Sequence, residues 1–408
     1  MNTKIRLIVM NFLQYGVWGA WLISLGTYLG GTLNFTWKEI GSFYATMGIA
    51  SLFMPAVMGI ISDRWIPAQK VLGLCHIIGA VFMFLAAEQT EYGGLYPMIL
   101  LAVMFYMPTI ALSNSVAYNA LEKAKLNVIE HFPPIRVFGT IGFIVAMWVV
   151  DLLGFCPTSS QLYLSAGLGI LLGIYAFTLP NCEIEKKVHT KDWIEMLGLQ
   201  AFSLFKQKKM AIFFIFSMFL GMSLQITNGF ANNYIASFGA NPEFANTFGV
   251  KHSTILISLS QISETLCILL IPFFLRKFGI KIVMLISMLA WVLRFGLLGT
   301  GDPGAGVWML ILSMLVYGVA FDFFNISGSL FVEKETNPAI RSSAQGVFMI
   351  MTNGLGAFIG SYLAGMVVDC YEWPDSWFIF AGFALVVAIA FAFIFKYKHE
   401  NNQFSTLN

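Results

Sequence analysis

The sequence predicts an all-α membrane protein with twelve transmembrane helices in two pseudo-symmetric six-helix halves. The first observation is composition. The chain has 408 residues, of which 58% are hydrophobic and 11% charged, with a mean hydropathy of +0.77. A soluble domain carries about a quarter charged residues. The second is segmentation. One span takes about 20 apolar residues, and apolar stretches fall at about 6–30, 38–62, 70–88, 96–119, 134–155, 161–180, 210–236, 252–275, 281–299, 305–332, 342–368 and 376–396. The first stretch is too long for a signal peptide and carries no small-residue cleavage site, so it reads as a span.

The third observation is charge. Loops after even-numbered spans hold fifteen basic residues: Arg64 and Lys70, Lys123 and Lys125, six lysines between 186 and 209, Arg276, Lys277 and Lys281, then Lys334 and Arg341. Loops after odd-numbered spans hold two, Lys38 and Lys251. The termini add Lys4, Arg6, Lys396 and Lys398. The positive-inside rule therefore expects both termini and the central loop in the cytoplasm, and an even number of spans agrees with that.

The most charged stretch marks a single boundary. It divides the chain into a half at 1–180, a linker at 181–209 and a half at 210–408. Within the linker, Trp193 through Leu204 can form a short interfacial helix. Repeats link the halves. Asn114-Ser115-Val116-Ala117-Tyr118-Asn119-Ala120-Leu121-Glu122-Lys123 ends span 4, and Asn325-Ile326-Ser327-Gly328-Ser329-Leu330-Phe331-Val332-Glu333-Lys334 ends span 10. Pro133-Pro134-Ile135-Arg136 opens span 5, and Pro338-Ala339-Ile340-Arg341 opens span 11. The offsets, 325 − 114 = 211 and 338 − 133 = 205, are about half the chain. This layout resembles the major facilitator superfamily. Gly59-Ile60-Ile61-Ser62-Asp63-Arg64 looks like the first part of its cytoplasmic Gly-x-x-x-Asp-Arg motif, and Trp65-Ile66-Pro67 then departs from it. Arg276-Lys277-Phe278-Gly279-Ile280-Lys281 keeps the basic part without the Asp. These loops speak to fold and not to substrate.

Polar groups within the spans are the candidates for function, because lipid makes each of them expensive. In span 1, Asn11, Gln14, Trp18 and Trp21 share a face that suits either a cavity or the interfacial aromatic belt. His76 in span 3 reads as a satisfied core histidine. In span 5, Arg136, Thr140 and Phe143 share a face, with Arg136 a turn or two inside the bundle or snorkelling to its end. Asp151, near the outer end of span 5, and Arg294 in span 9 read as interfacial. In span 7, Gln225 and Asn228 stand at i, i+3. In span 8, Gln261 and Glu264 do the same, with Ser263 between them. Carboxamides pair with groups that offer a donor beside an acceptor, as base edges and sugar diols do. The plainer reading is an interhelical polar clamp.

The chain is organised around span 10, where Tyr317-Gly318-Val319-Ala320-Phe321-Asp322-Phe323-Phe324-Asn325 sets acid, amide and aromatic groups close together. Asp322 has no basic neighbour within ten residues, so it reads as facing a partner, a watery cavity or substrate. A buried acid bonded within the bundle is the blander option. Phe143, Tyr317 and Phe321 can stack on a flat ring. Glu264 and Asp322 are the deep acids. No sodium-type ligand set is visible, so proton coupling through them is the simplest energy source. Passive facilitation is the alternative.

Other classes have little support. The net charge of +2 says nothing about nucleic acid. Cys75, Cys156, Cys182, Cys267 and Cys370 have neither CxxC nor zinc spacing. The sequence has no GxSxG, HExxH, P-loop or paired His cluster, so no enzyme, cofactor or metal is expected.

Nearly the whole chain resembles the bacterial nucleoside:proton symporter family. The resemblance is carried by Phe132-Pro133-Pro134-Ile135-Arg136, Thr140-Ile141-Gly142-Phe143, Leu224-Gln225-Ile226-Thr227-Asn228, Ser260-Gln261-Ile262-Ser263-Glu264-Thr265, Ala320 through Ser329, and Phe331-Val332-Glu333-Lys334-Glu335. It implies proton-driven uptake of purine and pyrimidine nucleosides, such as uridine and adenosine, across the bacterial inner membrane. A monomer in lipid, without nucleic acid as partner, is expected. It also implies that Arg136, Thr140, Phe143, Gln225, Asn228, Gln261, Glu264, Tyr317, Phe321 and Asp322 line the nucleoside site, bridging both halves. In that reading the amides hold base or sugar, Phe143 and Phe321 pack on the rings, Asp322 and Glu264 bind hydroxyls and one of them carries the proton. A sugar or polyol transporter of the same fold and a transporter-like nucleoside sensor are the alternatives.

Overall fold

The computed structural model describes residues 2–182, 199–337 and 340–397. The chain divides into two compact units, Met1–Leu197 and Gly198–Asn408. The first contains α1 (Thr3–Gly19), α2 (Leu25–Gly31), α3 (Trp37–Arg64), α4 (Ala68–Ala87), α5 (Tyr92–Lys123), α6 (Val128–Leu152) and α7 (Ser160–Ala176). The second contains α8 (Lys208–Ser237), α9 (Ser253–Thr300), α10 (Val307–Glu335), α11 (Arg341–Met349), α12 (Ala357–Tyr371) and α13 (Asp375–Ile394). Each of the twelve expected stretches lies mostly on helical backbone. Among the described residues, nine helices are long and apolar enough to cross a membrane. α9 supplies two of the expected spans, and α7 and the broken α1–α2 pair are individually shorter than that length.

Local chemistry sets the ends. α3 opens with a capping box: the Thr36 hydroxyl accepts from the Glu39 amide at 3.3 Å, and Glu39 Oε2 accepts from the Thr36 amide at 2.9 Å. Asn2 caps α1 by accepting from the Lys4 amide. α9 is two helices meeting at Gly279, whose φ of 73° is left-handed backbone that glycine adopts without a Cβ penalty.

Three expectations shift. The first span is interrupted: α1 stops at Gly19, residues 20–24 form turns, and the chain restarts as α2. The Ser24 hydroxyl donates to Gln161 Oε1 at 2.8 Å and ties that turn to α7. The fifth span starts earlier than its prolines suggest, because α6 begins at Val128 and encloses Pro133 and Pro134. The eleventh span is not uniform, since α11 passes through a π-helical segment, Ile350–Gly356, before α12. Such widened turns are rare in soluble and membrane helices and concentrate at functional sites. Of the expected linker helix, residues 193–198 lie outside the described residues. Leu199–Lys206 forms a 3-10 helix with Ala201 and Leu204 buried.

Each unit is built from the same pairs. In the first, α1 packs on α6, α4 on α7, and α3 and α4 on α5. In the second, α8 packs on the π segment and α12, and α9 packs on α13 and α10. In span numbers these are 1 with 5, 3 with 6, and 2 and 3 with 4, repeated as 7 with 11, 9 with 12, and 8 and 9 with 10. Both 1–5 and 7–11 contacts rely on a missing side chain: a Cβ on Gly142 would strike the Phe12 carbonyl, and one on Gly221 the Thr352 carbonyl. Matching pairings within each unit are what the sequence repeats anticipate from two related six-helix halves.

Candidate functional site

In the C-terminal unit, three helices converge on Tyr317. Asn228 of α8 lies beside its hydroxyl. Glu264 of α9 lies near enough to both Tyr317 and Asp322 for their charges to interact. Phe321, one turn along α10, stacks on Tyr317 with centroids 6.0 Å apart and planes inclined by 24°. Asn228, Glu264, Tyr317, Phe321 and Asp322 are thus brought together from three separate spans. Asp322 is 3% exposed, and among the described residues its Oδ2 has no hydrogen-bond partner. The same holds for Gln225 Oε1, one turn before Asn228. Buried acceptors without donors carry a desolvation cost, and a ligand that donates to them removes it. Gln261 is half-buried, one turn before Glu264.

The backbone explains the convergence. Ser263, beside Glu264, donates its hydroxyl to the Leu315 carbonyl of α10. Gly318 lies against that clip: a Cβ there would sit 2.5 Å from Ser263 O and 2.7 Å from its carbonyl carbon. The two helices touch backbone to backbone where the acids are carried. Asn325, expected on the same side as Asp322, lines a small cavity together with Phe321, Trp291, Thr352 and Asn353.

In the N-terminal unit, Arg136, Thr140 and Phe143 lie along the side of α6 that meets α1. The Arg136 guanidinium is 3.9 Å above the centre of the Tyr15 ring. Phe143 meets Trp18 edge-on at 6.3 Å, and Trp18 tilts against Tyr106 at 5.6 Å. Thr140 is half-buried between its two neighbours on the helix. Gln14 turns into the protein. Its Nε2 donates to Thr109 Oγ1 at 2.7 Å, its Oε1 is 2.7 Å from His76 Nε2, and its carbonyl accepts from the Tyr106 hydroxyl at 2.9 Å. The Thr109 hydroxyl is committed to the Tyr106 carbonyl. Gln14 Oε1 therefore accepts from His76, which makes Nε2 the protonated nitrogen. His76 is the satisfied core histidine that its sequence context suggests.

Arg294 departs most from its sequence reading. It is 1% exposed rather than interfacial, because α9 continues to Thr300 and carries it into the bundle. Its Nε donates to Thr227 Oγ1 at 2.9 Å, and Nη1 donates to the Ser313 carbonyl at 2.6 Å and Ser260 Oγ at 3.4 Å. Its guanidinium carbon lies 4.7 Å from the centre of the Tyr317 ring. Tyr15, Tyr106, Thr227 and Trp291 were also not singled out. The available signal was the i, i+3 pairing of Trp291 and Arg294 on one helix face.

The fold and these intramembrane clusters define a polytopic membrane transporter of the major facilitator type. The nucleoside H+ symporter family matches residues 1–400, and the chain belongs to that family. It is 51% identical to the nucleoside permease NupG of Escherichia coli strain K12 over 395 residues, covering 95% of this chain and 94% of that protein. It is 52% identical to the xanthosine permease of the same strain over 407 residues, covering 98% and 97%. A crystal structure of a mutant of the nucleoside transporter NupG superposes with a TM-score of 0.94 at 50% identity, covering 97% of this chain and 100% of that one.

Proposed function

We propose that this protein imports purine and pyrimidine nucleosides together with protons by alternating access, from a bacterial inner membrane in which both termini face the cytoplasm. The observation that carries this reading is the Asn228–Tyr317–Glu264–Asp322 cluster. It offers an amide, a phenol and two carboxyl groups beside a stacked aromatic pair, in a chain that belongs to the nucleoside H+ symporter family. Nucleosides present what such a cluster recognises: ribose hydroxyls that donate to carboxylates, base edges that pair with carboxamides, and a flat ring that packs on Phe or Tyr.

We assign Gln225, Asn228 and Gln261 to the base or sugar, Phe321 and Tyr317 to ring packing, and Asp322 and Glu264 to hydroxyl binding and the proton. In the N-terminal half we assign Arg136, Thr140 and Phe143 to substrate. Uridine and adenosine are expected substrates, and the transporting unit is expected to be a monomer. The basic residues after the even-numbered spans support the orientation.

The test is radiolabelled uridine uptake into proteoliposomes, with and without an inward proton gradient and with glucose as competitor. Gradient-dependent accumulation that ignores glucose supports the reading. Equilibration indifferent to pH makes the protein a facilitator. Binding without uptake makes it a sensor, and glucose competition moves it to the sugar class.

A further inference from the structure

Arg294 is a buried cation in the C-terminal half, and nothing in the proposed substrate contacts uses it. A guanidinium away from water is costly unless its donors are satisfied. Here the partners that satisfy it are neutral: the Thr227 hydroxyl, the Ser313 carbonyl and the Ser260 hydroxyl. They come from three helices, α8, α10 and the first part of α9. Nη2 meets Met314 Sδ at 3.8 Å, and the guanidinium carbon stands over the Tyr317 ring at 4.7 Å. Trp291, one turn before Arg294, meets the same ring edge-on at 6.0 Å. Tyr317 is therefore gripped by the second part of α9, with Asn228 beside its hydroxyl.

The arrangement has a direction. Thr227 is the residue before Asn228, and Ser260 the residue before Gln261. Ser313 lies one turn before Tyr317 on α10. One guanidinium thus touches a residue next to, or one turn from, each of three proposed substrate contacts. Its planar fork can hold these directions at once, and a lysine ammonium cannot reproduce that geometry.

We infer that Arg294 is a positioning residue for substrate: it fixes the Tyr317 ring, and through Thr227 and Ser260 the helix faces that carry Asn228 and Gln261, without touching the nucleoside. This rests on the proposed substrate reading of Tyr317 and its neighbours. A substitution at Arg294 then weakens nucleoside binding, and the loss passes through Tyr317.

The experiment is a double-mutant cycle on the dissociation constant for uridine, measured calorimetrically on the purified full-length protein, with melting temperature followed alongside. Arg294→Lys is expected to weaken uridine about tenfold. In a Tyr317→Leu background the same change is expected to add less than about twofold, since the ring it would orient is gone. Thr227→Val, which keeps the cation and removes the Nε acceptor, is expected to weaken uridine in the same sense and supplies the answer if Arg294→Lys does not fold. Parent affinity in Arg294→Lys with a lowered melting temperature would overturn the inference by making the residue structural only. Full multiplicative losses in the double variant would overturn it by removing Tyr317 from the path. Parent affinity in Tyr317→Leu is a different failure, because it removes the substrate reading itself and the inference with it.

Discussion

Replacing Gly318 by alanine tests whether backbone contact between α9 and α10 sets the site. The added methyl would sit 2.5 Å from Ser263 O, 2.7 Å from its carbonyl carbon and 2.7 Å from Oγ. Ordinary contact with a Cβ begins near 3.4 Å. The helices must therefore part by roughly 0.9 Å, the difference between 3.4 and 2.5, since two of the three obstacles belong to the backbone. Overpacking of this kind costs roughly 1–3 kcal/mol, and for a unit of this size that lowers the melting temperature by roughly 3–10 °C. The functional cost is larger in kind. Glu264 follows Ser263 directly, while Asp322 lies one turn beyond Gly318, so the separation opens the distance between the two acids and between Glu264 and Tyr317. Uridine affinity is expected to fall on the order of tenfold, with gradient-driven uptake falling at least as far. The assay is calorimetric binding beside proteoliposome uptake on protein of normal membrane yield. Affinity and uptake within twofold of the parent, in a variant whose melting temperature has dropped, would refute the reasoning.

Three further outcomes are expected. Gln261→Ala abolishes uridine binding with normal membrane insertion, read by binding on purified protein; unchanged affinity removes Gln261 from the site. Asp322→Asn keeps the shape of the side chain but cannot take up and release a proton, so gradient-driven accumulation is lost; accumulation at the parent level clears Asp322 of proton carriage. Gln14→Leu leaves His76 Nε2 without its acceptor in a buried place, while Thr109 keeps its bond to the Tyr106 carbonyl. At about 1–3 kcal/mol for each buried group left unpaired, the melting temperature falls by several degrees, while uridine affinity in the C-terminal cluster changes little. A selective loss of affinity with unchanged melting would contradict the scaffold role given to Gln14.

Much of the candidate site was legible because of the solvent around the chain. In lipid, helices satisfy their own backbone, so an amide or acid within an apolar stretch stands out against its neighbours. Gln225 with Asn228, Gln261 with Glu264, and Asp322 near Tyr317 were visible for that reason, each as a pattern within one helix. Asn325 shares a side with Asp322 by spacing, and the structure sets it with Phe321 in a cavity that Trp291, Thr352 and Asn353 of other helices complete. Thr352 and Asn353 stand on the π turn at Ile350–Gly356, which no local signal in the chain announced.

The sequence by itself determined the class of the protein, its segmentation, the twofold repeat and the positions where polar groups enter the membrane. These follow from composition, period and charge, which are local quantities. The tertiary structure decided which of those groups meet. It brought Asn228 beside Tyr317 and Glu264 near Asp322, paired Gln14 with His76, and moved Arg294 from an expected interface to the interior. The physical reason is that these contacts join residues far apart in the chain. At Gly318 the missing side chain lets two helix backbones touch, so the pairing belongs to how helices pack and not to the pattern along any one of them.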